Sequence, residues 1–102
     1  MYGLEYLPLA RRDIAETARY ISHDLGNPAA AEKLAAAIAD AAERLCDFPY
    51  ANPSYTPKKR LNHEYRKLRV ANYLVFYWVD EVEKQVTVAR IIYARRDYEN
   101  HL

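Results

Sequence analysis

Residues able to do chemistry are densest near the C-terminus, where Tyr93-Ala94-Arg95-Arg96-Asp97-Tyr98 sets two guanidiniums, a carboxylate and two phenols side by side. A guanidinium forks onto two phosphate oxygens and can stabilise charge developing on phosphorus. The same residues equally fit an Arg96–Asp97 surface pair, which contributes little. A second basic run, Lys58-Lys59-Arg60 and then Arg66, Lys67 and Arg69, is opposed only by Glu64. The net charge of +1 hides this asymmetry: residues 1–57 hold 5 basic and 8 acidic side chains, residues 58–102 hold 10 and 6. Such clustering is the footprint of a polyanion or of an acidic protein partner, with a solvated basic face as the plainer alternative.

Other chemistries find less support. There is no P-loop, GxGxxG, HExxH or CxxC. His23, His63 and His101 lack the close spacing of a metal site, so neither a metal nor a cofactor is expected. His23, near a helix end, fits a favourable contact with the carbonyl terminus. Cys46 is the only cysteine, which excludes an internal disulfide, fits a reducing compartment and reads as a small buried hydrophobe. Neither a signal peptide nor an apolar run of the ~20 residues a membrane span needs is visible, so a soluble cytoplasmic protein without a membrane partner is expected.

One domain over residues 1–102 positions these groups. Tyr2 to Leu7 alternates as a short first strand, and Pro8 suits the opening turn of a helix. Ile14, Ala18, Ile21 and Leu25 then recur on one helical face, ended by Gly26. Asn27-Pro28 is an N-cap followed by a favoured first residue, and Ala31, Leu34, Ile38, Ala41 and Leu45 stripe a second helix to about Cys46. A proline-marked loop of about fifteen residues leads into a meander of three strands, broken at Ala71-Asn72 and at Asp80 to Lys84. The order β-α-α-β-β-β argues for an α+β domain, a helical hairpin packed on a mainly antiparallel sheet. On the meander, Arg66, Leu68 and Val70 alternate with Tyr65, Lys67 and Arg69, and Leu74, Phe76 and Trp78 form an apolar row opposite Tyr73, Val75, Tyr77 and Val79. One face must meet the helices; the other is either covered or offered to a partner.

Taken in order, these segments resemble toxins of the RelE/ParE superfamily from bacterial type II toxin–antitoxin pairs. The likeness is carried by Pro-Leu-Ala-Arg-Arg-Asp-Ile-Ala-Glu-Thr-Ala-Arg-Tyr-Ile, Asn-Pro-Ala-Ala-Ala-Glu-Lys-Leu and Leu-Cys-Asp-Phe-Pro. Tyr-Arg-Lys-Leu-Arg-Val-Ala-Asn-Tyr-Leu-Val-Phe-Tyr and Val-Ala-Arg-Ile-Ile-Tyr-Ala-Arg-Arg-Asp-Tyr complete it. The resemblance implies a toxin neutralised by a cognate antitoxin protein. Its target is either ribosome-bound mRNA, which RelE-like members cut without metal, or DNA gyrase, which ParE-like members poison without nuclease activity.

For cutting, the resemblance implies that Arg66, Lys67, Arg69 and Arg95 stabilise the charged transition state. Tyr98 or His101 would then assist proton transfer. Lys58, Lys59, Arg60 and Arg96 would bind RNA phosphates. Two positions depart from the cutting pattern: Leu74 stands where many such members carry Arg, and Tyr93 where many carry His. The long alanine-rich hairpin looks ParE-like. The antitoxin is expected on Leu74, Phe76 and Trp78 or on the outer face of the helical hairpin, and the favoured expectation is an mRNA endonuclease.

Overall fold

The computed structural model describes residues 1–55 and 63–102, so Lys58, Lys59 and Arg60 lie outside the described residues. The elements are β1 (Gly3–Tyr6), α1 (Pro8–Arg19), a π-turn (Tyr20–Asp24), α2 (Pro28–Leu45), β2 (Arg66–Val70), β3 (Tyr73–Asp80), β4 (Gln85–Tyr93) and a 3₁₀ turn (Tyr98–His101). The α+β order β-α-α-β-β-β expected from sequence is the observed one.

Local chemistry explains the helical hairpin. Pro8 opens α1, where its missing N–H is no loss. The apolar face past Arg19 continues as one wider turn, with the Leu25 N–H bonded to the Tyr20 carbonyl at 3.1 Å. Gly26, at φ 63°, then reverses the chain as only glycine does without steric cost. The Asn27 carboxamide accepts from the Ala30 N–H at 3.1 Å, capping α2 directly ahead of Pro28.

The strands lie in the order β1-β4-β3-β2, with β1 parallel to β4 and the meander antiparallel. A bulge interrupts the β3–β4 ladder: Phe76 faces Arg90 and Tyr77 faces Val88, leaving Ala89 without a partner. It lets Val86, Val88 and Ile91 all turn toward the helices. There they meet Ala10, Ile38, Ala42, Leu45, Val75 and Tyr77 in the main core. Tyr77 is fully buried, and its hydroxyl donates to the Pro49 carbonyl and accepts from Asn52 Nδ2, both at 3.2 Å.

The second sheet face is covered as well. Leu74, Phe76 and Ile92 form a smaller core beneath Tyr55, Tyr65, Ala94, Tyr98 and Leu102. This corrects the expectation of an open antitoxin-docking row. Leu74 is 6% exposed and Phe76 0%, because the C-terminal turn and the Tyr55 segment fold back over them. Trp78 is half-buried at the end of the row.

Candidate nucleic-acid interface

Alternation along β2 sorts its three cations. Lys67 pairs with Phe76 and Arg69 with Leu74, so both stand on the face away from the helices. Arg66 pairs with Tyr77 and points the other way. Its guanidinium lies 4.8 Å over the Tyr50 ring, donates to the Asn52 carbonyl at 2.6 Å and reaches Glu64 at 3.4 Å. Arg66 thus clamps the segment after α2, and its expected place beside Lys67 and Arg69 is corrected by the period-two geometry of the strand.

Lys67 is the centre of the remaining group. Its ammonium is 5.0 Å from the Tyr55 ring centre and 5.4 Å from that of Tyr98. Both rings lean on Phe76, at 5.6 and 5.3 Å. An aromatic floor of this kind holds a cation by its quadrupole while leaving its outer hydrogens to a ligand. Arg69 is exposed beside the β2–β3 hairpin, its Nε donating to the Ala71 carbonyl at 2.9 Å. Among the described residues, no carboxylate forms an ion pair with Lys67, Arg69, Arg95 or Arg96.

Beyond β4 the C-terminal candidates part company. Arg95 and Arg96 are exposed in the turn after the strand. Arg96 borders a groove of about 690 Å³ shared with Tyr20, Leu25, Tyr73 and Tyr93, on the helical side of the molecule. The Arg96–Asp97 pair is not formed; Asp97 accepts from the Asn100 carboxamide instead. Tyr98 faces Lys67, whereas His101 is half-buried and its carbonyl is held by Arg90. The structure therefore brings Tyr98 to Lys67, leaves Arg69 on the same sheet face two residues along β2 with its guanidinium at the hairpin, and sets Arg66 on the other face and Arg96 at the groove on the helical side.

Sequence reasoning missed the pair that holds this arrangement. Asp13 of α1 receives Arg90 through two contacts, Nε–Oδ2 at 2.7 Å and Nη2–Oδ1 at 3.0 Å, and accepts the Ile91 N–H at 2.9 Å. Arg90 Nη1 reaches on to the His101 carbonyl at 2.6 Å. The Asp13 hydrogen bond, against the cost of burial, raises the Arg90 pKa. β1 covers β4 only as far as Val88, so an edge N–H beyond it needs a partner, and α1 supplies one. The signal was a lone Arg within Val-Thr-Val-Ala-Arg-Ile-Ile, since a charge inside an apolar strand requires a counter-charge. Also missed was the stacking of His63 flat on Trp78, with ring centres 3.6 Å apart and planes 5° from parallel.

A hairpin of helices thus packs on a four-stranded sheet whose rear face is cationic and aromatic and is closed by a C-terminal turn. The model of the family described as "ParE toxin of type II toxin-antitoxin system, parDE" matches residues 4–98, and the chain belongs to this family within the RelE/ParE superfamily. No curated protein matches the chain.

Among solved structures, a chromosomal ParDE system from P. aeruginosa is 18% identical with a TM-score of 0.69, covering 93% of this chain and 98% of that one. The toxin–antitoxin complex RelBE2 from Mycobacterium tuberculosis is 19% identical with a TM-score of 0.64, over 90% and 96%. The intact E. coli RelBE complex is also 19% identical, with a TM-score of 0.54 over 94% and 100%. At these identities the likeness concerns the fold. Among the described residues, no helix is long and apolar enough to cross a membrane.

Proposed function

We propose that this toxin cleaves ribosome-bound mRNA and is neutralised by a cognate antitoxin. The observation that carries the reading is Lys67 held over the Tyr55 and Tyr98 rings, with Arg69 on the same sheet face. In the reaction, the RNA 2′-hydroxyl gives up its proton to solvent water, its oxygen bonds to the adjacent phosphorus and the bond to the 5′-oxygen breaks. Lys67 and Arg69 stabilise the charge gathering on the non-bridging oxygens, and the Tyr98 hydroxyl delivers a proton to the departing 5′-oxygen. Arg90 is a positioning residue: it grips the His101 carbonyl and so anchors the turn that carries Tyr98.

Primer extension on a reporter transcript after induction tests this. Cleavage should appear only in translated regions and fall about 100-fold or more in Lys67→Ala or Tyr98→Phe. Intact transcripts in growth-arrested cells refute it.

A second reading, a gyrase poison without nuclease activity, draws on the same structure. Leu74 is buried, and Arg66 and Arg90 are committed to internal partners, leaving fewer cations for phosphate. It predicts stabilised DNA breaks with intact mRNA. Under either reading the antitoxin docks along the flank of α1 beside β4, where Leu9, Tyr20 and Leu25 are exposed and Tyr20 and Leu25 line the groove shared with Tyr73 and Tyr93. Tyr20→Asp should then weaken the complex at unchanged fold.

A further inference from the structure

We infer that the Trp78–His63 stack is a docking platform for one nucleobase of a single-stranded RNA. The inference rests on the RNA reading above and names how the strand is held. His63 is exposed, and its ring lies parallel on the half-buried Trp78 indole at 3.6 Å. Tyr65 stands edge-on to both, 6.3 Å from His63 and 5.6 Å from Trp78 at nearly right angles. The lower ring is therefore walled at its side and capped by a planar heterocycle at stacking distance. A base laid on the outer face of His63 extends the same column by one layer.

Position makes the column more than a surface ornament. Tyr65 and Lys67 alternate onto one face of the chain, about 7 Å apart along it. Phe76, beneath Lys67, and Trp78 are likewise two residues apart on β3. The aromatic stack thus continues the row that holds Lys67 and, beyond it, Arg69. Base-stacking rings beside a line of cations are how single-stranded nucleic acid is held without reading sequence: cations follow the phosphates, rings take the bases. The carboxylates adjacent in sequence, Glu64 beside His63 and Asp80 two residues past Trp78, have partners of their own. Glu64 receives Ser54 and Arg66, and Asp80 accepts the Glu83 N–H at 3.0 Å.

Trp78 is the only tryptophan, so its fluorescence reports the platform directly. The probe is a 2′-O-methyl oligoadenylate of five residues, which lacks the attacking hydroxyl and stays uncut. It should change Trp78 emission saturably, as should adenosine 5′-monophosphate at higher concentration, while ribose 5-phosphate and inorganic phosphate should not. His63→Ala should weaken oligonucleotide binding about five- to hundredfold, as loss of one stacked base predicts, and His63→Phe should restore it.

No response in the wild-type protein, an equal response to ribose 5-phosphate, or unchanged affinity in His63→Ala overturns the inference. Failure of the wider reading is separately visible. An oligonucleotide that binds through His63, with no cleavage of translated mRNA in cells, sinks the nuclease and leaves the platform standing.

Discussion

Replacing Asp13 with Ala should cost about 3–5 kcal/mol, although Asp13 lies on a helix whose exposed surface is highly charged. Its side chain is 11% exposed and that of Arg90 16%, so neither charge is bathed in water. Removing the carboxylate strands the guanidinium with only the His101 carbonyl and leaves the Ile91 N–H unpaired at an uncovered stretch of β4. Breaking one half of a buried pair typically costs 3–5 kcal/mol, because the surviving charge is left uncompensated. Three charge-assisted hydrogen bonds counted separately would give more, but residual water access to Arg90 favours the lower end.

Against a total stability of about 5–15 kcal/mol, this is a large fraction. The melting temperature should drop by about 12 °C or more, and Ile91 should lose its protection from amide exchange. Urea unfolding of wild type, Asp13→Ala, Asp13→Asn and the Asp13→Ala/Arg90→Met double variant measures it. Asp13→Asn should lose less, since it keeps an acceptor oxygen, and the double variant should recover part of the loss. A cost below about 1 kcal/mol for Asp13→Ala would place the pair with ordinary surface bridges and refute the reasoning.

Tyr77→Phe should cost about 1–3 kcal/mol in the same assay, because the Pro49 carbonyl and the Asn52 amide lose a buried partner. Ala71→Gly should stabilise by a few tenths to about 1 kcal/mol. Ala71 sits at φ 52°, and the strain relieved slightly exceeds the added flexibility of the unfolded chain; a lower melting temperature would refute this. Glu81 is held down to about 2 by hydrogen bonds from Lys84, then from Tyr50 and Tyr2. Its folded pKa lies below the ordinary 4.5, so its contribution is full above about pH 4.5 and lost as pH falls toward 2. The stability gap between wild type and Glu81→Gln should close across that window, more weakly at high salt because the site is exposed, whereas a pH-independent gap would contradict the assignment. The Tyr50 hydroxyl, pushed up to about 12 by the Glu81 hydrogen bond, carries the opposite sign: its contribution is lost as pH rises from 10 toward 12.

The sequence by itself determined the elements and the family. Helix punctuation by Pro8, Gly26 and Asn27-Pro28 is chemistry within a few residues, as is the two-residue break at Ala71-Asn72, and local signals of that kind survive without tertiary context. Alternation on β2 likewise separates Arg66 from Lys67 and Arg69, although the three are near neighbours in sequence.

Only the tertiary structure decided which cations are at liberty and which apolar row is open. Arg90 meets Asp13 across 77 positions of chain, and no local pattern encodes that distance. Leu74 and Phe76 read as a docking row until the C-terminal turn closed over them, and His63 gained its meaning only by landing on Trp78. Strand order settled the rest: with β1 at one edge and β2 at the other, the two sheet faces acquired different covers. The physical reason is the same throughout. Local propensity depends on neighbours in sequence, whereas charge compensation, burial and stacking depend on neighbours in space, and in a sheet with a parallel first strand those come from opposite ends of the chain.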